Sequence, residues 1–142
     1  MYTIKEVSKM MGISAYTLRY YEKIGLLEFV HRNKKGIRQF DISDILTLNT
    51  IYRLKETGMP LQEIKHYLKL IDEGIDSVSE RKKIMQAQQK KVEVQIKELQ
   101  KALLTINGKL KYYEEAEKTH SLGVCHDERS EFVQRLISGK LK

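Results

Sequence analysis

A single cysteine, a single proline and no long apolar run set the first limits on this chain of 142 residues. Cys125 has no second thiol to pair with, so no intramolecular disulfide is possible. No apolar stretch approaches the length of about 18 residues that a membrane-spanning helix needs. The N-terminus lacks a basic region running into an apolar core, so no signal peptide is expected and a reducing cytoplasm is the expected compartment. Nor is there a phosphate-cradling glycine loop, a nucleophile elbow or a pair of carboxylates in a turn, and no enzyme is expected.

What the chain has in excess is positive charge. The net charge is +7, with a hydrophobic content of 41%, enough for one core-bearing domain plus an extension. Residues 1–70 hold twelve Lys/Arg against seven Asp/Glu, whereas the remainder holds fourteen against twelve. The excess therefore sits in the first half, which suggests a polyanionic partner there.

Turn signals cut that half into short elements. Thr3 can cap a helix from Ile4 to Met11 with Ile4, Val7 and Met11 on one face, and Gly12 ends it. Ser14 caps a second helix through Lys23, closed by Gly25. Two short helices joined by a glycine-containing turn make a helix-turn-helix pattern. In "FVHRNKKGIRQF" two short runs flank Asn33 to Gly36, a hairpin or wing with basic residues at its tip and on its return strand. Ser43 is expected to cap a helix to about Thr57 carrying Ile45, Leu48, Ile51 and Tyr52. A further helix after Pro60 carries Ile64, Tyr67, Leu68 and Ile71 as its buried stripe.

The second half differs in kind. Ser77 and Glu80 have capping-box spacing, and no glycine or proline follows until Gly108. Met85, Val92, Ile96, Leu99, Leu103, Ile106, Leu110 and Tyr113 recur at steps of three and four, interrupted only at Gln89. This is a heptad seam of about four repeats on a helix of roughly 30 residues. A homodimeric two-helix coiled coil is the expected use of the seam, and packing across its own N-terminal domain is the alternative. In the tail, Phe132, Val133, Leu136 and Ile137 share one side of a short helix, either a small lid packed on the dimer or a frayed end, with packing the expected outcome.

On a helical wheel, Leu18 and Tyr21 point towards the first helix, leaving Tyr16, Thr17, Arg19 and Tyr20 on the other side. Such a face suits a DNA groove and its flanks. Arginine can donate twice to a guanine edge, threonine offers a methyl and a hydroxyl, and tyrosine hydroxyls reach phosphates. The helix start at Ser14 adds free backbone donors. Covering a neighbouring element is the alternative role of the tyrosines. The combination with Arg32, Lys34, Lys35 and Arg38, on or beside a hairpin only a few residues downstream, favours DNA.

"YTIKEVSKMMGISAYTLRYYEKIGLL" followed by "GIRQFDISDILTLNTIYRLKETGMPLQEI" resembles the DNA-binding domain of MerR-type transcriptional regulators, over about residues 1–70 and almost without gaps. The resemblance implies a mainly α fold: a winged helix-turn-helix domain with a small β-hairpin wing (1–71), a long dimerisation helix in an antiparallel coiled coil (77–117), and a C-terminal loop and short helix as a candidate effector region (118–142). It implies a homodimer on a palindromic promoter with a long spacer, which such proteins bend and untwist for RNA polymerase. By position, Arg19 and Tyr20 match recognition-helix contacts, Arg32 and Arg38 match wing contacts to the backbone, and Lys55 matches a phosphate contact. Where relatives often have tyrosine before the wing arginine, this chain has Ile37. Glu22 is expected to orient the helix end and not to touch DNA.

The metal-sensing branch of that family carries a cysteine near the start of the long helix, where this chain reads "IDSVSER". His120, Cys125 and His126 match no closed-site spacing, so no metal or other cofactor is expected. They read as ordinary loop residues, with Cys125 as a candidate redox or electrophile sensor. No large effector domain is expected, so a small-molecule effector would bind between the long helix, the tail and the partner's DNA-binding domain. The competing class is an interaction protein that keeps the coiled coil and no longer binds DNA, but it gives no reason for Arg19, Arg32 and Arg38 together.

Overall fold

In the computed structural model the described residues are 1–28, 30–122 and 133–139. Cys125, His126 and Phe132 lie outside them. The elements run β1 (Tyr2–Thr3), α1 (Ile4–Met11), α2 (Ala15–Lys23), β2 (His31–Arg32), β3 (Arg38–Phe40), α3 (Ile42–Glu56), α4 (Leu61–Asp72), a 3-10 turn (Gly74–Ser77) and α5 (Val78–Thr119). The protein is mainly α, with one small antiparallel sheet of order β1-β3-β2. Tyr2 pairs with Phe40 and Thr3 with Gln39 on one side, and His31 with Gln39 and Arg32 with Arg38 on the other.

Local chemistry places these elements. Thr3 and Glu6 close a reciprocal capping box at the start of α1, satisfying two backbone donors that the first turn leaves unpaired. Gly12 follows α1 with φ 65°, a left-handed conformation open to glycine at no steric cost. Ser14 Oγ accepts from the Thr17 amide at 3.1 Å and starts α2. The wing turns on Asn33, whose Oδ1 accepts from the amides of Lys35 at 2.9 Å and Ile37 at 3.0 Å.

Two details correct the expectations. The cap of α3 is Asp41 and not Ser43. Asp41 Oδ1 accepts from the Asp44 amide at 2.9 Å while Asp44 Oδ2 accepts from the Asp41 amide at 3.0 Å. The reciprocal box outweighs the single hydroxyl, and Ser43 instead donates to Asp41 Oδ1 at 2.6 Å. In α4, Ile64 and Leu70 are the buried residues and Ile71 is exposed.

The chain divides into two units, Met1–Val92 and Glu93–Lys142. The first is built on Val7, Leu18, Tyr21, Leu26, Leu27, Phe40, Leu48, Ile51, Met59 and Ile64, all buried. Ile84 and Met85 pack against this core, so the unit extends beyond the helix-turn-helix domain into α5. At the α4–α5 corner, Ser77 Oγ donates to the carbonyls of Leu70 and Gly74, and Arg81 Nη2 donates to Gly74 O at 2.9 Å. In the second unit α5 continues through Gly108 to Thr119, so the helix as a whole runs close to the 77–117 span of the resemblance and beyond the roughly 30 residues of the seam. Tyr112 and Ala116 are buried there, and Tyr112 donates its hydroxyl proton to Leu122 O. Residues 133–137 are helical, and Val133, Leu136 and Ile137 are exposed within the single chain.

Candidate nucleic-acid interface

The amphipathic pattern of α2 divides it cleanly. Leu18 and Tyr21 are buried in the core, while Tyr16, at 79% exposure, stands with Arg19 and Tyr20 on the open side. Arg19 has no hydrogen-bond or ion-pair partner among the described residues. Thr17 is half-buried, and its hydroxyl lies 2.8 Å from that of Ser14, so the two side chains are engaged with each other at the helix start.

The last turn of α2 is joined to two sources of positive charge, through Glu22 and through Tyr21. At its C-terminal end Glu22 holds two wing arginines at once: Oε1 accepts from Arg32 Nη2 at 3.2 Å and Oε2 from Arg38 Nε at 2.5 Å. Arg32 Nη1 also donates to Gly36 O at 3.0 Å, across the wing turn. Arg38 keeps both Nη groups without a protein partner among the described residues. Lys34 and Lys35 are exposed at the wing tip. Glu22 was expected to orient the helix end; the geometry shows what it orients, which is the wing.

On the other side, Lys55 near the end of α3 donates from Nζ to Tyr21 Oη at 3.1 Å and lies 5.7 Å from the centre of that ring. Lys55 remains exposed. Beside it opens a hollow of about 400 Å³ lined by Ser14, Thr17, Tyr21, Tyr52 and Lys55 among others. The α2 start, with its positive dipole end, shares this hollow with the Lys55 ammonium and with the Glu56 carboxylate. What the arrangement offers is a row of donors and cations around one exposed helix face.

Of the seam, Met85 packs on the core of its own domain and Val92 is half-buried. Ile96, Leu99, Leu103, Ile106, Leu110 and Tyr113 are all exposed. His120 is exposed with φ 49°, and among the described residues no group of three His, Cys, Asp or Glu could hold a metal ion. No helix among them is long and apolar enough to cross a membrane.

An exposed helix of a helix-turn-helix, flanked by a cationic hairpin anchored to it, defines a winged helix-turn-helix DNA-binding module. Residues 2–71 match the model of the MerR HTH family regulatory proteins, and residues 45–108 match that of the MerR DNA-binding region. The chain is 39% identical over 121 residues to an uncharacterized HTH-type transcriptional regulator of Haemophilus influenzae, an alignment covering 85% of this chain and 90% of the relative. Among solved structures it is similar to HiNmlR, a MerR family regulator lacking the sensor domain and bound to promoter DNA (TM-score 0.74, 39% identity, 85% of this chain and 92% of that one). It is also similar to a MerR family transcriptional regulator from Bacillus thuringiensis (TM-score 0.66, 38% identity, 78% and 96%). The chain belongs to the MerR family and is a DNA-binding transcription regulator.

Proposed function

We propose that this regulator binds a palindromic promoter as a homodimer, distorts the DNA between its two recognition helices for RNA polymerase, and does so under the control of an effector. The observation that carries the reading is the double anchorage of α2. Its exposed face, Tyr16, Arg19 and Tyr20, lies between a wing fastened by Glu22 and a lysine fastened to Tyr21. In this reading Arg19 and Tyr20 face the groove, and Ser14, Tyr16, Thr17 and Lys55 meet phosphates at one end of α2. Arg32, Lys34, Lys35 and Arg38 meet the backbone at the other.

Support for the homodimer comes from the exposed run Ile96, Leu99, Leu103, Ile106, Leu110 and Tyr113, an apolar stripe at heptad spacing that solvent disfavours. Two identical modules on one twofold axis would read two half-sites of opposite sense.

The test starts with a random-sequence duplex pool, from which the unmodified chain should enrich an inverted repeat. Arg19→Ala is expected to weaken that duplex by about 1–3 kcal/mol while lowering random-duplex binding far less. Equal losses on both duplexes, or no enriched repeat, would count against base reading by α2.

A further inference from the structure

Gln88 is a glutamine in the body of a helix, and yet it is 7% exposed. Burying an amide costs free energy unless its donors find partners, and both contacts here go to one residue. Nε2 donates to Thr57 O at 2.9 Å and to Thr57 Oγ1 at 3.2 Å. Thr57 is the C-cap of α3, where the last carbonyls lack partners along the helix. Its own hydroxyl donates to Leu54 O at 2.6 Å, and the following amide, of Gly58, donates to Lys55 O at 2.9 Å. Lys55 in turn holds Tyr21 of the recognition helix.

Adhesion of α5 to the domain does not explain this residue. Ile84 and Met85, one turn earlier, already supply apolar contact, and a leucine at the next turn would extend it. What a buried amide adds is direction. Apolar packing tolerates sliding and rotation, whereas a pair of hydrogen bonds to one carbonyl and one hydroxyl holds one register of α5 against the end of α3.

Resting on the DNA-binding reading of Lys55, we infer that Gln88 is a positioning residue that links the register of the long helix to the placement of Lys55, and so to the grip on DNA. A shift of α5 along its axis, from the effector or the partner subunit, pulls on Thr57, two residues from Lys55. Affinity then follows the state of the long helix without any change in the residues that touch DNA. By the reciprocity of coupled sites, DNA held by Lys55 must in turn alter the surroundings of the Gln88 amide.

The experiment uses the full chain and a fluorescein-labelled duplex enriched by it from a random pool, titrated by anisotropy over a salt series. Lys55→Ala should make the fall of log K with log salt shallower by about one, the loss of one phosphate contact. Gln88→Leu should weaken binding about five- to tenfold and make the slope shallower too, with the oligomeric mass unchanged. In the Lys55→Ala background, Gln88→Leu should add less than about a twofold loss, because its route to DNA is already gone. Losses that multiply across the two backgrounds, or a Gln88→Leu slope equal to that of the unmodified chain, overturn the link. Gln88→Met, closer in shape, takes its place if the leucine variant does not fold. The unmodified chain offers an independent reading: its Gln88 side-chain amide signal in NMR should shift on adding the duplex, and an unmoved signal overturns the proposal. If no duplex is enriched, the DNA-binding reading itself fails, whereas multiplied losses on an enriched duplex sink the Gln88 link alone.

Discussion

The long helix keeps one rhythm of apolar residues on both sides of Val92 and puts it to two different uses. Before Val92, Ile84 and Met85 pack on a core supplied by their own domain, and Gln88 is hydrogen-bonded to it. After Val92, Ile96, Leu99, Leu103, Ile106 and Leu110 have the same spacing and are exposed. Periodicity therefore says that a helix face wants cover, but not what covers it. The first stretch is satisfied within the chain; in our proposal the second waits for another copy.

The comparison breaks most decisively if the exposed stretch is charged. Leu99→Asp together with Leu103→Asp should abolish the dimer, halving the mass in sedimentation equilibrium, and should reduce palindrome binding to about the level of a half-site. The helix-turn-helix domain should keep its fold. A dimer that survives both aspartates would remove the seam from the interface. A smaller effect sharpens the same contrast through single truncations. Ile84→Ala should cost about 2 kcal/mol by opening a gap on the core, and by the same amount at every protein concentration. Leu99→Ala should lower the melting temperature where the dimer forms, and by less as the protein is diluted towards monomer, because its partner is another chain. Melting curves at several concentrations distinguish the two.

The smallest expected effect concerns the domain's helix caps. The Thr3 amide holds the Glu6 carboxyl below the usual carboxylate range, and the Ser43 hydroxyl, then the Asp44 amide, does the same for Asp41. A depressed carboxyl contributes stability that is fully present above its unfolded pKa, about 4, and is lost as pH falls through the depressed folded value. Burial raises Asp44, which favours its protonated form in the fold and so opposes the loss at α3. Below about pH 4, protection against amide exchange, taken relative to the free chain at the same pH, should therefore fall at the first turn of α1 before that of α3. Simultaneous loosening of the two would contradict this assignment.

Much of this was visible in the sequence where the signal is local. The cap at Thr3, the glycine after α1, Ser14 at the start of α2 and the Asn33 turn each depend on residues within four positions of one another. The two faces of α2 were equally readable, since they need only the helical repeat. What escaped depends on contacts the chain makes at a distance or on choices between near-equals. Strand β1 is two residues long, too short for an alternating pattern, and exists because β3 pairs with it. Asp41 and Ser43 are both good caps two positions apart, and only the reciprocal bond with Asp44 separates them. Nothing near Gln88 in sequence announces Thr57, 31 positions earlier. The wing arginines were found by their charge, but their common carboxylate, ten and sixteen residues away, was not.

That carboxylate bears on when the wing becomes ordered. A free arginine on a hairpin samples many rotamers, and fixing it against a phosphate costs about 0.5–1.5 kcal/mol at the moment of contact. Glu22 restrains Arg32 and Arg38 while the protein folds, long before any DNA arrives. In the proposed contact with DNA, part of the ordering cost is thus met during folding, and the kinetic counterpart we propose is rapid, well-oriented docking of the wing together with α2.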